Sequence, residues 1–175
     1  MEPSERLNSV KEFRAYKRNL PHFEHPGSIY FITFRTVSGF TLPDSAKDIV
    51  FSSLKFHAEK KHRLHACVIM NDHVHCILHP MEKLTIDAQA KMPVSPVAYF
   101  SLAHIMHGIK SYSVNQINGL LQRKSNVWLD ENYERIIRDE KEYREKLQYI
   151  LNNPVKTGLV EKHEDYRWLF FERNH

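Results

Sequence analysis

Apolar and polar positions alternate along this chain in runs that sort it into strands and helices. Behind the turn pair Pro26-Gly27, the segment Ser28 to Thr36 crowds Ile29, Tyr30, Phe31, Ile32 and Phe34 together, which predicts a first strand. Pro43-Asp44-Ser45 then opens a stretch where Ile49, Val50, Leu54 and Phe56 recur at near-helical spacing as far as the basic Lys60-Lys61-His62-Arg63. It predicts an amphipathic helix of about 15 residues. Leu64 to Met70 and Val74 to Leu78 are apolar runs separated by the turn dipeptide Asn71-Asp72, the pattern of an antiparallel hairpin. Residues 80 to 96, with Pro80, Pro93 and Pro96, read as a loop. A long helix is expected from Val97 to about Leu121, open to interruption at Gly108 or Gly119. Val127-Trp128-Leu129 reads as a short edge strand, and Tyr133 to Ile137 leads into another. Asp139, with Glu142 three residues on, caps a last helix expected to run to about Asn152 and to stop at Pro154.

The order strand, helix, strand, strand, helix predicts an α+β fold. Its centre is a ferredoxin-like antiparallel sheet of strands near 29 to 36, 64 to 70 and 74 to 79 plus an edge strand, with the helices on one face. At 175 residues the chain suits one domain, expected over 29 to 170 behind a polar arm at 1 to 28. No apolar run approaches the ~20 residues that span a bilayer, so no membrane partner is expected. The first residues lack a secretory pattern, and Cys67 and Cys76 lack a disulfide-rich spacing, which fits a reducing cytoplasm. A net charge of +4 allows a polyanionic partner without demanding one, although in the arm Lys11, Arg14, Lys17 and Arg18 interleave with Phe13 and Tyr16. Five glycines leave no room for a glycine-rich phosphate loop.

The chemistry lies in Met70-Asn71-Asp72-His73-Val74-His75. Side chains two apart on a strand share a face, so His73 and His75 can offer both imidazoles to one divalent metal while Val74 and Cys76 point the other way. On the last helix Tyr149 and Asn153, four apart, lie one above the other. If they face the histidines, Asn153 Oδ1 completes a three-ligand site with the Tyr149 hydroxyl beside it; otherwise they are a boundary aromatic and a helix-ending residue. A metal-dependent barrel hydrolase needs a longer chain. A two-motif phosphoesterase needs a second histidine motif that the other histidines do not supply, and His104 with His107 reads as polar helix surface.

Together with Val127-Trp128, Tyr133-Glu134-Arg135-Ile136-Ile137-Arg138 and the run from Tyr149 to Val160, the histidine motif resembles the single-tyrosine transposases that carry His-hydrophobic-His (the HUH endonuclease fold). It is most similar to the REP-associated tyrosine transposases. The resemblance covers about residues 25 to 170. It implies that His73 and His75 bind a divalent metal, that Tyr149 is the nucleophile and that Asn153 is the third ligand. Such a set of two imidazoles and an amide oxygen suits Mg²⁺ or Mn²⁺ better than zinc, which favours thiolates. A phenol that ordinarily titrates near ~10 needs the cation to become a nucleophile. The implied substrate is single-stranded DNA beside a hairpin-forming repeat, cleaved and rejoined through a 5′-phosphotyrosine, by a monomer in preference to a homodimer. The rival class is a domesticated protein of the same fold that binds the hairpin without cleaving. Lys110, Arg138, Arg144 and Lys156 are the candidate phosphate contacts. Two departures stand out: Asn71-Asp72 replaces the family's Pro-Asn, adding a carboxylate expected on the opposite strand face, and the loop at 80 to 96 is long.

Overall fold

The structure, a computed structural model, describes residues 14–17, 21–83 and 98–172. Most of the expected loop and much of the arm therefore lie outside the described residues. Within the arm, β1 (Arg14–Lys17) pairs antiparallel with β2 (Pro21–Glu24) as a separate two-stranded sheet. The remainder is β3 (Tyr30–Thr36), α1 (Asp44–His57), β4 (His62–Ile69), β5 (His73–Pro80), α2 (Leu102–Leu120), β6 (Trp128–Ile136), α3 (Glu140–Lys156) and β7 (Leu169–Phe171).

The main sheet has the order β6-β3-β5-β4-β7, and every pairing is antiparallel. From β3 to β6 the chain runs strand, helix, strand, strand, helix, strand, which is the ferredoxin-like arrangement that the sequence predicts. The β4–β5 hairpin turns at Asn71-Asp72, and Met70 N–H closes it onto the His73 carbonyl at 2.8 Å.

The helices divide between the two faces, and here the structure departs from the expected one-sided packing. In register, Thr33 lies opposite both His75 on β5 and Tyr133 on β6, while Phe34 lies opposite Val74. Strand alternation therefore sends Phe31, Thr33, His73, His75 and Tyr133 to one face and Ile32, Phe34, Val74 and Cys76 to the other. The second face is covered by α2, whose Lys110 sits 6.0 Å over the Phe34 ring, with α1 alongside through Ser53 Oγ–H donating to the Ile109 carbonyl at 3.2 Å. On the histidine face lies α3. Only α1 and α2 belong to the ferredoxin-like unit. The short link from β6 to α3 lets the third helix cross the sheet edge and cover what they leave open.

Two further boundaries differ from expectation. The pieces expected at 127 to 129 and from Tyr133 form one strand, β6, because among the described residues it pairs only with β3 and its outer edge tolerates polar Asp130 and Glu131. Likewise α3 continues past Asn152 through Pro154, whose φ suits a helix and whose missing N–H forfeits a single bond in the last turn. Gly158, at φ +71°, ends it, with its N–H on the Val155 carbonyl. Across the helical layer, buried Trp128 Nε1–H donates to Ser113 Oγ at 2.9 Å. Ser113→Ala leaves that donor unpaired, and a loss of ~1–3 kcal/mol is expected in a denaturant titration.

Candidate active site on the histidine face

Strand β5 carries His73 and His75 up the centre of the sheet, and their rings stand 4.7 Å apart, centroid to centroid. Each imidazole is fixed through Nδ1. His75 Nδ1 shares a hydrogen bond of 2.7 Å with Thr33 Oγ1, its cross-strand partner, and His73 Nδ1–H donates to Asp72 Oδ1 at 2.6 Å. Such bonds fix ring orientation and leave Nε2 of each ring available to a ligand. Asp72 was expected to point from the opposite face. It lies in the hairpin turn, where strand alternation does not apply, and its carboxylate reaches His73 and stands 3.6 Å from Arg35. Partial burial opposes its ionisation, but the His73 bond and the Arg35 charge outweigh that and hold Asp72 below the usual carboxylate range.

The structure brings Tyr149 to the histidines. Its ring meets His75 edge to face at 5.0 Å and Phe31 at 6.0 Å, while Phe31 stacks on His75 at 5.6 Å. Tyr149 remains 47% exposed, so its hydroxyl is open to a polymeric substrate. One turn on, Asn153 is buried, and among the described residues its Oδ1 has no hydrogen-bond partner. The same is true of His75 Nε2. Two orphaned buried polar atoms on facing elements are costly unless something binds them. Burial above all, with His73 and Arg35 close by, pushes the His75 pKa down to about 3, so its ring is neutral and its lone pair available at physiological pH. Among the described residues no three His, Cys, Asp or Glu side chains converge as metal ligands. A cation at the two histidines therefore needs a donor of another kind, and the buried amide of Asn153 fits. Cys67 and Cys76 are free, buried and on the face away from the histidines.

A cavity of about 870 Å³ opens beside these groups and is lined by His73, Tyr149 and Asn153 together with Arg35, Arg144 and Lys156. Of the four candidate phosphate contacts, the structure thus brings Arg144 and Lys156 to the site. Arg138 lies just ahead of α3, away from the cavity, and pairs with Glu142, as Arg144 does with Glu140. Lys110 is on the opposite face, donating to the Leu129 and Asp130 carbonyls at 2.7 and 3.2 Å, where it ties α2 to β6. Sequence reasoning missed Thr33 and Arg35. Their signal is register, since each lies directly opposite one of the histidines.

No family model matches the chain. A stretch of 52 residues, 30% of this chain and 30% of the relative, is 40% identical to a Haemophilus influenzae protein named "Putative REP-associated tyrosine transposase". The match thus spans less than a third of that relative. Over 87% of this chain and 82% of the other, the fold is similar at a TM-score of 0.67 and 19% identity to a solved REP-associated tyrosine transposase bound to a REP hairpin. The structural likeness shows the α+β fold alone, and the sequence match is to a relative that bears the name of the family the sequence resembles. Among the described residues no helix is long and apolar enough to cross a membrane.

Proposed function

We propose that this chain is a REP-associated tyrosine transposase that cleaves and rejoins single-stranded DNA beside a hairpin, using Tyr149 as nucleophile. The observation that carries this reading is the packing of a half-exposed tyrosine against His75, beside His73, with the buried His75 Nε2 and Asn153 Oδ1 both without a hydrogen-bond partner among the described residues. His73, His75 and Asn153 would hold Mg²⁺ or Mn²⁺. When bound, the ion favours the phenolate and neutralises charge on the phosphate.

The residues then divide the work. Tyr149 Oη attacks the phosphorus, forming an O–P bond as the P–O3′ bond breaks. The phenolic proton goes to solvent, and the departing 3′ oxygen takes one up as a free hydroxyl. Attack by a 3′-hydroxyl on the phosphotyrosine reverses the exchange, so the energy of the phosphodiester is conserved. Arg35, Arg144 and Lys156 meet the backbone charge at the cavity rim. Because one chain carries all four of His73, His75, Tyr149 and Asn153 together, the arrangement supports action by a monomer.

The test is to incubate the purified protein with a labelled hairpin oligonucleotide and Mn²⁺, then denature it. A protein–DNA adduct that survives denaturant is the expected result. Hairpin binding without an adduct would favour the non-cleaving protein of the same fold. Asp72 offers a subtler check: Asp72→Ala releases His73 from its orienting bond and should weaken Mn²⁺ binding by ~10–100-fold in calorimetry while the fold is retained.

A further inference from the structure

Helix α3 brings a further positive charge to the tyrosine from the end opposite Asn153. Lys146 stands one turn before Tyr149 and Asn153 one turn after it, both on the flank of the apolar stripe of Leu147 and Ile150. Lys146 is partly buried, and its Nζ lies 4.9 Å from the centre of the Phe31 ring, the ring that stacks on His75 and meets Tyr149 edge to face. Its charge is felt at the histidines: burial is the main cause of the low His75 pKa, and Lys146 is one of the groups that add to it.

No carboxylate among the described residues pairs with this ammonium. Its ordinary helical partner would be Glu142, four residues earlier, in the favourable order of glutamate before lysine. Glu142 is instead held by the Arg135 and Arg138 side chains and accepts the Arg138 backbone N–H. The Phe31 face steadies the lysine stem, and the head group is left for an anion. The cavity cations Arg35, Arg144 and Lys156 do not duplicate it, since Lys146 lies outside that lining.

We propose that the Lys146 ammonium binds a non-bridging oxygen of the phosphodiester under attack at Tyr149, on the side of the tyrosine away from His73 and Asn153. Attack spreads negative charge over those oxygens, and a cation already in place meets it without reorganisation. The lysine keeps its protons throughout, so the bond changes remain those of the proposed function, on which this inference rests.

The test is single-turnover adduct formation with a labelled hairpin oligonucleotide in Mn²⁺, the protein in excess. Lys146→Met keeps an apolar stem on Phe31 and removes the charge. It should slow adduct formation roughly 100-fold at saturating protein, while the Mn²⁺-induced melting shift is unchanged and hairpin affinity stays within about twofold of the parent. Lys146→Arg restores a positive charge and should keep the rate within about tenfold of the parent. Adduct formation by Lys146→Met at the parent rate would overturn the inference and leave the proposed function standing. So would a loss recovered at saturating protein, a loss that travels with the Mn²⁺ shift, or equal losses in the Met and Arg variants. A parent chain that forms no adduct would overturn the proposed function and this inference with it.

Discussion

Tyr149→Phe is expected to eliminate the covalent protein–DNA adduct while leaving stability and hairpin binding within about twofold of the parent. The substitution removes one half-exposed oxygen and keeps the ring that packs against His75 and Phe31, so the contacts that seat α3 on the sheet survive. Two other tyrosines serve as controls. Tyr143 turns its hydroxyl to His65 Nδ1 at 3.3 Å, away from the histidine pair, and burial pushes its pKa up, which works against a phenolate. Tyr133 stands on β6 across Phe31 from Tyr149, at 6.5 Å from that ring. Tyr143→Phe and Tyr133→Phe should both still form the adduct. Mass spectrometry of the proteolysed adduct provides the check, and nucleotide found on any peptide lacking Tyr149 would refute the assignment.

The second large effect concerns the cation. At 100 times its dissociation constant, Mn²⁺ bound to the folded state alone should add ~2.7 kcal/mol, or roughly 5–10 °C in melting temperature for a chain of this size. That increment should vanish in His75→Ala, together with all cleavage, and chelation should abolish cleavage by the parent. His75 is also a packed side chain, so its removal should lower metal-free stability by ~2–4 kcal/mol as Phe31 and Tyr149 lose a neighbour. For this reason the decisive readout is the Mn²⁺-induced shift within each variant, not the absolute melting temperature. A full shift in His75→Ala would remove the imidazole from any role in cation binding.

Much of this arrangement was legible in the sequence because it rests on local periodicity. The crowding of β-branched and aromatic residues around Tyr30 to Phe34, and the Asn71-Asp72 turn between two apolar runs, suffice to give β3, the β4–β5 hairpin and the shared face of His73 and His75. Spacing likewise put Tyr149 and Asn153 on one side of α3. What spacing cannot supply is the partner surface. Nothing between Ile136 and Glu140 encodes which face of the sheet α3 will cover; that follows from α1 and α2 having filled the other one. The direction of Asp72 departs from expectation for a related reason, since alternation ends where the turn begins. Lys110 shows the opposite failure: a lysine on a helix looks like free positive charge until the fold supplies the two carbonyls that hold it.

The paired positions of Cys67 and Cys76 have a use outside catalysis. The two residues face each other across β4 and β5, both wholly buried, and burial drives the Cys67 thiol up to about 12 and the Cys76 thiol well above its usual value. In the closed sheet neither sulfur offers a thiolate to an alkylating reagent. Because the helical layer must lift from this face of the sheet before either reacts, the slow appearance of modified thiol in native buffer becomes a clock for the rare opening of the core, read without denaturant.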